Sequence, residues 1–179
     1  MNVQLYVGHS YHIFNRSINR EMIFVRQGNY RYFIGKLISL DSFWELIGYC
    51  LMPTHFHFLV RIGTDDQDSL RRAIGDMLSG YTRGVNKERG RTGSLFQQHT
   101  KAKIIKDETY LRMVLHYIHQ NPMRAGISRS LGGWPYTSYR DYCGTRTDGI
   151  VHADMVYRYF GSIEDFVFDS QRMVDVVHL

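Results

Sequence analysis

Strand-forming residues dominate two adjoining stretches of the chain, 43–51 and 55–62, with Pro53 in the short break between them. That arrangement predicts an antiparallel hairpin. Upstream, residues 11–15 alternate well enough for a first strand, and 16–20 make a polar connection. Residues 29–40 carry Tyr32, Phe33, Ile34, Leu37, Ile38 and Leu40 at amphipathic helical spacings. Ser69 is placed to cap a second helix through Leu70, Ile74, Met77, Leu78 and Tyr81 towards Val85, and Gly90 and Gly93 then break the chain. A fourth strand is predicted over 95–105. Asp107 opens a third helix over 108–119, which Asn121 and Pro122 should end, because a residue before proline is pushed out of helical angles. A last helix is expected over 163–172.

The order β, α, β, β, α, β, α is the split βαβ pattern of a ferredoxin-like α+β domain, an antiparallel sheet with helices packed on one face. The other face would stay open to a ligand. A single domain over 1–179 is expected, its core at about 11–144 and a helical extension following. No repeat or low-complexity tract interrupts it.

Within the third strand, His55 and His57 flank Phe56, so both imidazoles leave on one side while Phe56, Phe58, Val60 and Ile62 leave on the other. Two neutral imidazoles can hold a divalent ion and still leave it positions for substrate oxygen. A half-exposed strand edge is the plain alternative. Against it stands the apolar run around them, since burying an unpartnered imidazole costs on the order of 1–3 kcal/mol. Cys50 invites a zinc site with the same pair, but the spacing fits no common zinc pattern.

On a helical wheel of about 100° per residue, Leu111, Val114, Leu115 and Ile118 share an apolar arc with Tyr117 at its edge. Asn121 follows one turn later and is best placed to act with Tyr117. A phenol with its usual pKa of about 10 is a poor nucleophile, although a nearby cation favours its charged form. Taken alone, Tyr117 reads as a packing residue with a solvated tip rather than a nucleophile, one of thirteen tyrosines.

Composition sharpens the choice of partner. The net charge is +5, and residues 70–106 hold nine lysines and arginines against Asp76 and Glu88. Such a block suits a polyanion, and its interleaved aromatic residues suit nucleic acid. Arg71, Arg72, Arg83, Lys87, Lys101 and Lys103 are the candidate backbone contacts. Asn15, Arg16 and Arg20 are candidates too, with plain surface solvation as an equal reading. Cys50 and Cys143 form no disulfide framework, the N-terminus lacks the pattern of a signal peptide, and no stretch reaches transmembrane length. A cytoplasmic, nucleoid-associated protein with no membrane partner is expected.

Five segments in order, YHIFNR at 11–16, MPTHFH at 52–57, GSLFQ at 93–97, YIHQNPMRAG at 117–126 and WPYTSYR at 134–140, resemble the single-tyrosine HUH transposases. The REP-associated tyrosine transposases of bacteria are the nearest pattern. The resemblance implies a metal-dependent enzyme that cuts and rejoins single-stranded or hairpin DNA through a 5′-phosphotyrosine. It assigns His55, His57 and Asn121 to Mg²⁺ or Mn²⁺ and Tyr117 to attack on phosphorus, with a homodimer as a candidate assembly. His99 stands where many relatives carry arginine, Thr54 where asparagine is common and Met123 where valine is usual; the last two read as neutral changes. A regulator that binds nucleic acid without cutting, and a phosphodiesterase that uses water, remain the rival readings.

Overall fold

The computed structural model describes residues 4–152 and 154–175. Its sheet has the strand order β2-β3-β1-β4, from β1 (Ser10–Arg16), β2 (Trp44–Met52), β3 (His55–Ile62) and β4 (Lys101–Ile104). Each neighbouring pair is antiparallel, so β1 and β2 run the same way with β3 between them. This is the split βαβ topology, and the ferredoxin-like α+β expectation stands.

Helices α1 (Gln27–Ile38) and α2 (Gln67–Arg89) cover the phenylalanine side of β3. Phe33 of α1 packs on Phe56 and Phe58, with ring centroids 5.6 and 6.2 Å away, and Tyr81 of α2 meets Phe33 edge-on at 4.9 Å. The third helix, α3 (Glu108–Arg124), lies against the opposite face, which corrects the expectation of helices on one face only. Gly48 makes this approach feasible, because a Cβ there would collide with the Leu115 side chain. Register explains the choice of side: Gly48 pairs with Leu59, on the same side of the sheet as His57. Half of that face is therefore covered, and the other half stays open at the histidines.

Several boundaries differ from the sequence expectation for local reasons. Asp66, not Ser69, caps α2, its carboxylate accepting from the Ser69 amide at 3.0 Å. Leu95 and Phe96 turn into the core rather than extending β4, so that strand begins only at Lys101. Most consequential, Pro122 does not stop α3. The helix runs on to Arg124, where Gly126 at φ 71° turns the chain and the Ile127 amide returns to the Pro122 carbonyl at 3.0 Å. Proline costs most in a helix interior, and here only one short turn follows it.

Beyond α3, Tyr136 and Ser138 bond to the backbone of β2 and cover that edge of the sheet. The short helices α4 (Tyr139–Tyr142), α5 (Asp154–Phe160) and α6 (Ile163–Ser170) complete the extension. Phe160 and Phe166 pack around His116 of α3, so the extension buries the side of that helix turned away from the sheet. Of these, only α6 was legible in the sequence, and it ends at Ser170 rather than 172.

Candidate active site

Alternation along β3 puts His55 and His57 on one side, and the register of its neighbours adds Phe14, Arg16, Lys101 and Lys103 to that side. Between this wall and Tyr117 of α3 lies a cavity of about 300 Å³. The Tyr117 ring stands edge-on to His57 with centroids 5.7 Å apart. Its face is covered by the Arg124 guanidinium at 5.9 Å, which in turn donates to the Val174 carbonyl. The tyrosine and both histidines therefore meet in one hollow.

On both rings Nδ1 has a polar partner. His55 Nδ1 is 3.2 Å from Thr54 Oγ1, and the Asn121 side chain hydrogen-bonds the His55 ring. Thr54 therefore touches the site, which corrects its reading as a neutral turn residue. His57 Nδ1 is 2.8 Å from Nε2 of His12, while His57 Nε2 is buried without a protein partner. Asn121 is buried and donates through Nδ2 to the Tyr117 carbonyl at 2.8 Å.

Burial lowers the pKa of all three histidines. For His57 the fall is large, with the neighbouring His12 and His55 adding to it; for His55 the Asn121 bond opposes burial and Arg16 adds to it. His12 is lowered to about 3 by burial and then by the cation of Lys103, its cross-strand partner. All three rings are neutral near pH 7 and keep a lone pair.

Among the described residues, no group of three or more His, Cys, Asp or Glu side chains is arranged to hold a metal ion. His12, the third imidazole, is turned to His57 and not to a shared point. The donor set on offer is two imidazoles with the amide of Asn121. The orphaned, buried Nε2 of His57 fits such a role, since a buried polar atom without a partner is costly unless something else satisfies it.

The basic block divides rather than forming one patch. Arg16 and Lys101 line the histidine cavity, and the Lys101 ammonium lies 5.9 Å over the Phe14 ring. Lys103 is exposed on the same side of β4. Arg71 and Arg83 line a second groove of about 480 Å³ between α2 and the 93–100 segment. Arg72 and Lys87 are exposed elsewhere on α2, and Arg20 ends an exposed one-turn helix at Ile18–Arg20. Asn15 is held internally: it is 5% exposed and donates to the Gln97 carbonyl and Thr100 Oγ1. It shapes the segment between the two hollows. Arg89 and Arg91 serve the same end, bonding to Met22 and Ile23 carbonyls and to Glu21.

Gln97, His99 and His12 belong to the site and were not singled out as such from sequence. Gln97 and His99 line the cavity. His12 shares the strand parity of Phe14 and Arg16, but only the pairing register brings it to His57, and register between distant strands is not written in either strand alone.

A curated Haemophilus influenzae protein described as a REP-associated tyrosine transposase is 26% identical over 105 residues, covering 54% of this chain and 59% of the relative. The chain thus matches only about three-fifths of that relative's length. A solved structure of a REP-associated tyrosine transposase bound to a REP hairpin superposes with a TM-score of 0.63 at 18% identity, covering 82% of this chain and 87% of the other, and so shares its fold. The model of the family described as "Transposase IS200 like" matches residues 6–121, a span that runs from before β1 through both histidines and Tyr117 to Asn121; the chain belongs to that family.

Proposed function

We propose that this protein is a metal-dependent tyrosine transposase, a DNA strand transferase that cuts and rejoins single-stranded or hairpin DNA. The observation that carries the reading is the convergence of Tyr117 on two neutral imidazoles, one with a buried, unpartnered nitrogen, in a cavity edged by cations. The hairpin in the structural relative supports the choice of DNA form.

His55, His57 and Asn121 would hold Mg²⁺ or Mn²⁺, which when bound supplies charge neutralisation at a non-bridging phosphate oxygen. Arg16 and Lys101 hold the same phosphate from the cavity rim, and Arg71 and Arg83 carry neighbouring backbone along the second groove. The Tyr117 oxygen attacks phosphorus and loses its proton to water, the bond from phosphorus to the 3′ oxygen breaks, and the departing 3′ oxygen takes a proton from water to become a hydroxyl. A 5′-phosphotyrosine results. The 3′ hydroxyl of another end can reverse the step and join strands, because the phosphodiester energy is retained. Arg124 over the tyrosine ring and Asn121 on its carbonyl restrict where the phenol can go, and positioning of this kind lowers the barrier.

The test is a labelled hairpin oligonucleotide incubated with protein and Mn²⁺ and run on a denaturing gel. A protein-linked band that disappears in Tyr117→Phe is the expected result. Cutting that survives the substitution would instead mean attack by water, and retarded but uncut DNA would mean a binding protein.

A further inference from the structure

We propose that His12 is a positioning residue for this site: by accepting the Nδ1–H of His57 at 2.8 Å, it sets the tautomer that leaves the buried Nε2 lone pair open to a divalent cation. The inference rests on the metal-dependent reading above and extends it to a residue outside the proposed ligand set.

The geometry points one way. A neutral imidazole has one N–H and one lone pair, so the sense of the His12 to His57 bond decides which group His57 turns to the cavity. Were His12 to donate, the proton of His57 would sit on Nε2, a buried N–H with no acceptor, aimed where a cation should lie. With His12 accepting, Nε2 carries the lone pair instead. His12 is itself 5% exposed, so water does not compete for the bond, and the β1 to β3 pairing fixes its distance from His57. Its Nε2 is occupied by that bond, which excludes His12 as a third ligand through the same atom. Thr54 Oγ1 stands in the equivalent place at Nδ1 of His55, at the longer distance of 3.2 Å and on a less buried ring. Partners on the second nitrogen of a metal-binding histidine fix its tautomer and orientation in general.

The full chain, ¹⁵N-labelled on histidine and free of metal, is examined by long-range ¹H–¹⁵N correlation near pH 7. The His57 ring is expected to show a protonated Nδ1 and an unprotonated Nε2. His12→Gln, whose amide oxygen can take over the acceptor position, keeps that pattern; His12→Leu loses it. In Mn²⁺ titrations His12→Leu binds about 10- to 100-fold more weakly than wild type, the usual cost of losing such a partner, and His12→Gln recovers most of the difference. Unchanged retardation of a hairpin oligonucleotide without metal reports that each variant is folded. A wild-type His57 protonated at Nε2 overturns the proposal whatever the variants do. So does a folded His12→Leu with wild-type Mn²⁺ affinity, and if that chain also forms the covalent adduct, the transposase reading survives alone. Failure of the wild type to bind Mn²⁺ at all defeats both.

Discussion

The two sides of β3 are built from alternate residues of one strand, and at its middle Phe58 and His57 are both buried, yet the sides do opposite work. Phe56 and Phe58 are at most 1% exposed and lock into an aromatic cluster with Phe33, Tyr81 and Phe96. His57 is 6% exposed on the other side, but its Nε2 lacks any partner and the cavity stands open beside it. One side has its interactions complete; the other withholds one. A buried polar group left incomplete beside an open cavity can be completed from outside the chain, and this difference marks the histidine side as the candidate place for chemistry.

Neighbouring substitutions on this one strand separate the two roles. The largest effect is expected from His57→Leu, which keeps most of the side-chain volume and removes the nitrogens. Metal-dependent cutting should fall by roughly a thousandfold or more, since several kcal/mol of charge stabilisation at phosphorus go with the cation. Stability by urea unfolding should stay within about 1.5 kcal/mol of wild type, as for volume-conserving swaps. Phe56→Ala reverses the pattern. Loss of a fully buried ring should cost about 3–5 kcal/mol in the same unfolding assay, while any protein still folded cuts DNA. If His57→Leu unfolds the chain, the contrast between the faces fails.

The lysines on the cavity side of β4 give a smaller, graded effect. Replacing Lys101 and Lys103 together by alanine should weaken hairpin binding and reduce the slope of log affinity against log salt by about one per residue. Fluorescence anisotropy at several salt concentrations reads this directly. An unchanged slope would remove these two lysines from the interface.

The smallest effect concerns acid stability and the extension behind α3. His116 is buried between Phe160 and Phe166 with both ring nitrogens unpartnered, and burial, the largest cause, lowers its pKa to about 4. The unfolded chain, with histidine near about 6.5, binds more protons than the folded one below that pH, so stability falls as pH drops from about 6.5 towards about 4. His116→Leu should flatten that fall, as measured by thermal unfolding across the window. His57→Leu and His116→Leu thus remove imidazoles that carry at least one unpartnered nitrogen from two sides of α3, and only the first should touch catalysis.

Much of this was legible in the residue pattern. The hairpin, the parity of His55 and His57, the helix bearing Tyr117 and the closeness of Asn121 to it follow from periods of two and 3.6, which local sequence records. What was not legible depends on contacts between distant segments. Pro122 reads as a terminator until one sees how few residues of α3 follow it. The 95–100 stretch reads as strand, yet Asn15 bonds it into a crossing loop. The side of the sheet taken by α3 turns on Gly48 against Leu115, and the place of His12 on the register of β1 with β3.

With thirteen tyrosines in the chain, the most direct test is to identify which one carries DNA. Protein trapped on a hairpin oligonucleotide with Mn²⁺ is digested with protease and nuclease, and the nucleotide-bearing peptide is sequenced by mass spectrometry. The expected adduct is on Tyr117, through a 5′ phosphate. An adduct on any other tyrosine would contradict the assignment of this cavity as the place where DNA is cut.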